Sequence, residues 1–425
     1  MTSIDSTETI ATLAKRFSEV RAVTLSLAAR LSEAECSVQS MPDASPVKWH
    51  MAHTTWFFET FLLERFASGS SGDYVPFDAS YRVLFNSYYE SVGEQFPRAE
   101  RGLIARPGLA EVKRYRAVVD AAIHQMLADP ELPPEALPLV ELGLQHEQQH
   151  QELIVTDVKH ALSMQPAGAP TIAASDSPGR DAPTTPAGWH AVEEGLYEVG
   201  FEGGKFSFDN ERPRHRVFLE AYELATRPVS NQDWLAFMEA GGYQDAVLWL
   251  SDGWATAREA GWEAPLYWFQ RDSEWWSYTL AGVQPIRWDE PVCHVSYYEA
   301  EAFATWACAR LPTEAEWEVG SMFELSGGNF LESWRLHPEP RAACFGDVWE
   351  WTQSPYVPYP GFKPVVGAVG EYNGKFMANQ FVLRGGACVT PEGHSRATYR
   401  NFFYPAMRWV FAGVRLADDA DGVVQ

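Results

Sequence analysis

The feature that most restricts the fold is a break in texture between His160 and Trp189. The chain there reads Pro166-Ala-Gly-Ala-Pro170, then Ala174-Ser-Asp-Ser-Pro-Gly179, then Ala182-Pro-Thr-Thr-Pro-Ala-Gly188. A stretch so rich in Pro, Gly, Ser, Thr and Ala has no apolar period and no side chains with which to build a core. It therefore reads as a surface linker between two separately folded pieces. The 425 residues divide on this basis into a first domain at 8–165, a linker at 166–188 and a second domain at 189–420. That length is ample for two cores.

The first piece has helical periodicity. Ile10, Leu13, Phe17, Val20, Val23, Leu27 and Leu31 recur at three- and four-residue spacing, which predicts a helix over 8–34. A second helix is expected over 45–67, with Ser45 as N-cap and Pro46 in the first turn. Two more are expected over 109–127 and 134–162. Four amphipathic helices suggest a bundle, whose core is a common place for a metal site.

Beyond the linker the pattern changes to short strands, glycine turns and few helices. Residues 216–224 alternate like one half-buried strand, and Ser230 with Asp233 and Thr313 with Glu316 have the spacing of capping boxes. Of 17 tryptophans, only Trp49 and Trp56 precede residue 189. This half reads as an irregular, loop-rich α+β domain.

Charge and cysteine usage serve mainly to exclude. With 33 Lys+Arg against 57 Asp+Glu, the net charge of −24 argues against nucleic-acid or anionic-membrane partners, which need clustered cations. No apolar run approaches the ~18–20 residues that span a bilayer, and residues 1–10 lack the pattern of a signal peptide. Five widely spaced cysteines without Cys-x-x-Cys favour buried thiols over disulfides or a thiolate zinc site. The expected setting is the cytoplasm.

The chemistry concentrates in His146-Glu-Gln-Gln-His150 on the fourth helix. Spacing of i, i+4 puts both imidazoles on one face, able to share one ion. Two ordinary core histidines would give the same spacing. The string also fits the zinc-protease pattern His-Glu-x-x-His, with Asp157 or His160 as third ligand. The other source of a third ligand is His50 or His53 on the second helix. Three neutral imidazoles leave a divalent metal its full charge and about three open positions; zinc usually fills one of them with water, and octahedral Fe(II) can use all three for substrates and O2. A phenol from Tyr88-Tyr89 near such a metal could supply a proton.

These residues resemble a known family. Ser45-Pro-Val-Lys-Trp-His-Met-Ala-His-Thr-Thr-Trp-Phe-Phe-Glu59, Phe85-Asn-Ser-Tyr-Tyr-Glu90 and His146-Glu-Gln-Gln-His-Gln-Glu152 are similar to the DinB-type four-helix domain of ergothioneine sulfoxide synthases. Phe208-Asp-Asn-Glu-Arg-Pro-Arg-His215, Arg310-Leu-Pro-Thr-Glu-Ala-Glu-Trp317, Gly346-Asp-Val-Trp-Glu-Trp351, Arg384-Gly-Gly386 and Gly413-Val-Arg-Leu416 resemble their formylglycine-generating-enzyme-type (sulfatase-modifying-factor) domain, which has a C-type-lectin-like fold and completes the substrate pocket.

The resemblance implies Fe(II) on His53, His146 and His150, with O2 as co-substrate and His50 either supporting a ligand from behind or packing beside it. It implies joining of a donor atom to imidazole C2 of hercynine (Nα-trimethylhistidine), with Tyr89 by the iron and Tyr88 beside it. Gln149 matches a residue touching the hercynine imidazole, and Asn401, Phe402 and Phe403 match the part that holds the betaine end. Aromatic faces suit a trimethylammonium, which has no N–H to donate. Arg82, Arg400 and Arg408 are candidates for a substrate carboxylate, with Trp409 beside the last.

Two departures bear on activity. Thr390 and Ser395 stand where a formylglycine-generating enzyme has its copper-binding cysteines, so that activity is not expected. Ala378 stands where ergothioneine enzymes usually have cysteine, and the string Tyr404-Pro-Ala-Met-Arg-Trp-Val-Phe-Ala412 also differs. The donor is accordingly open between a thiol (cysteine or γ-glutamylcysteine) and the selenosugar used by selenoneine-forming relatives. Besides the protease, a non-catalytic small-molecule binder is the alternative from another class, since both folds host many functions.

Overall fold

The computed structural model describes residues 6–67, 74–165, 172, 187–322, 327–340, 343–365, 370 and 373–420, so all but a few positions of the expected linker lie outside the described residues. The chain divides into two compact units, the first taking in Met1–Met164 with Val366–Tyr372 and the second Gln165–Val365 with Asn373–Gln425. The first is helical and the second is mixed α+β.

Four long helices dominate the first unit: α1 (Ser6–Ala28), α2 (Val47–Phe58), α3 (Leu109–Leu127) and α4 (Ala136–Ser163). α1 packs on α4, and α2 packs on both α3 and α4. α2 is the central rod. All 12 of its residues are buried, including Lys48, His50, His53, Thr54 and Thr55. A helix covered on every side presents its polar residues to other side chains rather than to water, so each needs a partner there.

Two helix ends differ from the periodicity. α1 stops at Ala28 although Leu31 continues the apolar spacing. The Ser32 N–H and hydroxyl both donate to the Glu35 carboxylate at 2.7 Å, and this local capture turns the chain out of the helix. Ser45 does not cap α2, whose N-cap position is Pro46. The Ser45 hydroxyl instead accepts from Arg101 Nη1 (2.9 Å) and its N–H donates to Asp157 Oδ2 (2.8 Å). After Phe58 the helix widens into a π-helical turn, Glu59–Leu63. The Glu59 carboxylate there accepts from Tyr115 Oη (2.6 Å), Tyr74 Oη (2.8 Å) and the Phe77 N–H (2.9 Å).

The second unit is built from small sheets. Strands β1 (Trp189–Val192), β4 (Tyr222–Ala225) and β12 (Ala417–Asp419) form one, in the order β1-β4-β12. β2 (Gly195–Val199) pairs with β3 (His215–Leu219). β5 (Trp268–Arg271), β6 (Glu274–Thr279) and β7 (Gly282–Pro285) make a meander. β8 (Trp349–Pro355), β9 (Phe381–Arg384), β10 (Asn401–Phe403) and β11 (Ala412–Gly413) form the fourth sheet, in the order β10-β9-β8-β11. The single strand expected over 216–224 is thus two, in different sheets. The caps at Ser230 and Thr313 form as expected, each accepting from the N–H three residues on. None of the five cysteines is in a disulfide; Cys308 is exposed, against expectation, and the other four are buried.

Buried ion clusters tie the strands together. Glu314 accepts from Arg384 Nη2 (2.9 Å) and from Arg400 Nε (2.8 Å) and Nη2 (2.9 Å). Burial alone would push the Glu314 pKa up, yet Arg400 and Arg384 hold it below the ordinary carboxylate value. A carboxyl held charged in the fold adds stability above its unfolded pKa of about 4.3, and that stability is lost as pH falls below it. Glu314→Gln should therefore be less stable than the parent by about 3–5 kcal/mol at pH 7, and the gap should shrink below about pH 4. Urea unfolding at both pH values measures this, and a gap independent of pH would contradict it.

Candidate metal centre

α2 and α4 run antiparallel where their histidines meet. His53 Nε2 lies 3.1 Å from His146 Nε2, and His50 Nδ1 lies 2.8 Å from His150 Nδ1. Nitrogen atoms of His53, His146 and His150 all fall within 4.8 Å of one another. Two nitrogen ligands ~2.1 Å from one ion and at right angles are ~3.0 Å apart, so the 3.1 Å pair has the spacing of neighbouring ligands.

The protonation of these rings also fits a metal. Burial pushes the His146 pKa down to about 3. His53 and His150 are likewise well below the ordinary value, first through burial and then through repulsion among the rings. Neutral imidazoles keep a lone pair for a cation. His53 Nδ1–H donates to the Phe85 carbonyl at 2.6 Å, which leaves Nε2 bare and facing His146. Trp49 stacks on the His53 ring at 4.7 Å and fixes its plane.

The loop after Leu84 serves two purposes. Its Phe85 carbonyl sets the His53 tautomer, and the adjacent Asn86 side chain accepts from the Tyr89 N–H (3.0 Å) and donates to the Tyr89 carbonyl (3.0 Å). Tyr89 is fully buried and meets Trp56 at 5.7 Å, while Trp56 stacks on His53 at 5.6 Å. Tyr88 stacks on Tyr89 at 4.6 Å, with the two hydroxyls 3.5 Å apart.

Glu147 takes no part in this face. A step of about 100° per residue turns it away from its histidine neighbours. It accepts from Arg21 Nη1 (2.8 Å), from Thr24 Oγ1 (2.6 Å) and from Arg116 Nη2. Burial would raise its pKa, but Arg116 and Arg21 outweigh that and lower it to about 2. A carboxylate held by two guanidiniums in the core cannot act as the water-activating base of a zinc protease. The third-ligand candidates of that reading are engaged elsewhere as well. His160 Nδ1 is 2.7 Å from Ser40 Oγ, and Asp157 Oδ2 accepts from His50 Nε2 at 3.1 Å.

The remaining expected residues lie in less uniform surroundings. Gln149 is half-buried beside His150. Arg82 is exposed and paired with Glu64 at 2.9 Å. In the second unit, Arg400 is buried with Glu314, and Arg408 pairs with Glu299 at 2.7 Å. All three guanidiniums already face carboxylates. Arg408 also lines a cleft of about 820 Å³ with Trp262, Tyr267, Trp268 and Trp275. Asn401, Phe402 and Phe403 form β10, where Phe402 stacks on Tyr356 at 4.1 Å and Phe403 meets Trp409 at 6.0 Å. Thr390 and Ser395 bond to the backbone: Thr390 Oγ1 accepts from the Ala387 N–H (2.8 Å) and Ser395 Oγ donates to the Gly385 carbonyl (2.9 Å).

One residue was not anticipated. Arg101 is buried, donates to Ser45 Oγ, and lies with its guanidinium 3.4 Å from the centroid of the Trp49 ring, the ring that stacks on His53. Burial is the main force pulling its pKa well below the ordinary value. No periodicity marks it, because it enters the core from a short 3-10 segment, Arg98–Leu103.

Residues 16–154 match the model of the DinB superfamily, and residues 175–341 and 342–420 match that of the sulfatase-modifying factor enzyme 1-like domain. The chain is 32% identical to the hercynine oxygenase of Mycolicibacterium thermoresistibile, over 97% of this chain and 95% of that one. It is 33% identical to the hercynine oxygenase of Mycobacterium tuberculosis, over 96% and 98%. The formylglycine-generating enzyme of Thermomonospora curvata is 32% identical, but over 42% of this chain and 62% of its own length. With a DinB-superfamily domain followed by a sulfatase-modifying factor enzyme 1-like domain, and likeness along nearly its whole length, the chain belongs to the hercynine oxygenase family.

Proposed function

We propose that the chain is a non-heme Fe(II), O2-dependent enzyme that joins a sulfur or selenium donor to imidazole C2 of hercynine. The observation that carries this reading is the cluster of three neutral imidazoles on α2 and α4, in a chain similar along its length to hercynine oxygenases. Fe(II) held by His53, His146 and His150 would keep its full charge and open positions, and would supply the electron transfer that O2 activation requires. In the net reaction the donor X–H and imidazole C2–H bonds break and a C–X bond forms, while O2 takes up four electrons: one oxygen leaves as water with the two hydrogens and the other stays on X as X=O.

The residues of the chain do the rest. Tyr89, itself buried and braced by Asn86, holds a transferable proton at Oη. Tyr88 sits against it, half-buried, on the side from which that proton could be replaced. Gln149, next to His150 in the chain and half-buried, would orient the hercynine ring, as its match to the family motif implies. Arg101, bonded to Ser45 and stacked on Trp49, supports the ring that fixes His53, while Arg82, Arg400 and Arg408 are paired with carboxylates of the chain.

The deciding experiment is product mass spectrometry with Fe(II), O2, hercynine and three donors in parallel: cysteine, γ-glutamylcysteine and a selenosugar. A coupled product with one of them is expected; oxygen uptake and product with none would favour a binding protein. In Tyr89→Phe the coupled product should fall about 100-fold or more while oxidised donor accumulates. An unchanged ratio of coupled product to oxidised donor would contradict the role of Tyr89.

A further inference from the structure

His150 has a wiring of its own. Its Nδ1 is 2.8 Å from His50 Nδ1, and His50 Nε2 is 3.1 Å from Asp157 Oδ2. His50 is 3% exposed and Asp157 5%, so no water shell competes for these atoms. Asp157 Oδ2 is also fixed from the other side by the Ser45 N–H at 2.8 Å.

The direction of each hydrogen bond follows from what each group can do. An ionised carboxylate only accepts, so the single ring proton of neutral His50 belongs on Nε2. Its Nδ1 is then an acceptor, and the proton in the 2.8 Å contact must come from His150 Nδ1. A neutral imidazole has one N–H, so His150 Nε2 is left as a bare lone pair. His53 reaches the same tautomer by a shorter route, through the Phe85 carbonyl.

We propose that Asp157 and His50 are positioning residues that lock His150 in the tautomer able to ligate the metal, through a carboxylate–imidazole–imidazole relay. This rests on the metal-centre reading given above and deepens it. The relay crosses from α4 to α2 and back. Asp157 lies seven residues after His150, two turns along the same stripe of α4, and His50 bridges the gap from the facing helix.

The test is anaerobic titration of the full chain with Co(II), reading the dissociation constant and the visible d–d spectrum. The Ser45 N–H and His50 Nε2 share one oxygen of Asp157, Oδ2, so the informative change removes that oxygen. Asp157→Leu is close in size and leaves His50 Nε2–H with no acceptor there, which frees His50 and His150 to exchange tautomers, whereas the carbonyl of Asp157→Asn can still accept from both donors. For Asp157→Leu we expect Co(II) binding about 10–100-fold weaker with an altered spectrum and the helical circular dichroism of the parent, and for Asp157→Asn most of the parent's affinity. Parent-like affinity and spectrum in Asp157→Leu would overturn the relay. If the parent itself binds no Co(II), the metal-centre reading fails instead. Should Asp157→Leu not fold, His50→Leu and His50→Gln decide. The glutamine carbonyl can still accept from His150 Nδ1–H, so it should retain most of the affinity that leucine loses. Equal affinity in the two variants would overturn the proposal.

Discussion

His146→Ala should reduce Fe(II) affinity by more than about 100-fold, since even partners beyond the ligands are worth 10–100-fold, and should abolish turnover of hercynine. The reason is geometric. His146 Nε2 faces His53 Nε2 at 3.1 Å, and His150 is one turn further on the same face. The two rings left behind cannot close the set. The measurement that separates lost ligation from lost fold is thermal unfolding with and without metal. At a concentration 100 times its dissociation constant, a ligand of the folded state stabilises by about 2.7 kcal/mol. The parent should show such a rise on adding Fe(II) anaerobically, and His146→Ala should not, with helical circular dichroism unchanged. Full Fe(II) binding and turnover in the variant would remove His146 from the site.

Glu147→Ala should be the most destabilising single change in the first unit, by about 3–5 kcal/mol in urea unfolding. The carboxylate is fully buried, and removing it leaves the guanidiniums of Arg21 and Arg116 in the core with less compensation. Arg21 would retain Asp120 at 2.7 Å, whereas the ion pair of Arg116 is with Glu147 itself. Glu147→Gln should fall between the two, because its carbonyl can still accept from one donor. A residue that activates water would behave in the opposite way, with catalysis collapsing in a protein of unchanged stability. The two roles of a glutamate between metal-spaced histidines are therefore told apart by which quantity moves.

How far the sequence could be read depended on the distance over which each feature is decided. α3 runs over Leu109–Leu127, the bounds its periodicity suggests, because apolar spacing and Gly108 before it agree. The i, i+4 pair in α4 was legible for the same reason, being local. The end of α1 was not, since Leu31 keeps the apolar period while Ser32 and Glu35 have already captured the backbone. Residues 216–224 alternate throughout, but alternation says nothing about which sheet a strand joins. β3 pairs with β2, whereas β4 pairs with β1 and β12.

The site divides along the same line. The residues alone left His50 and His53 as equal candidates for the third ligand; the family resemblance separated them, and the packing of α2 against α4 gives each a different partner. The His50–Asp157 contact spans 107 positions of sequence and has no local signature. Arg101 was overlooked for a related reason: an arginine in a short polar 3-10 segment looks like surface until Trp49 is seen beneath it. Conversely, Arg82, Arg400 and Arg408 were visible as arginines, but the carboxylates that occupy them come from elsewhere in the chain.

The complete enclosure of α2 has a consequence in time as well as in space. Amide protons exchange with solvent when a segment opens, and a helix at a surface can fray on its wet side while the rest holds. α2 has no wet side: each of its 12 residues lies beneath a neighbour. Its opening is therefore tied to separation of α3 and α4 around it, and its amides belong among the slowest in the molecule to take up deuterium. One of the three ligand rings, His53, rides on that slow segment, together with His50, the partner of His150.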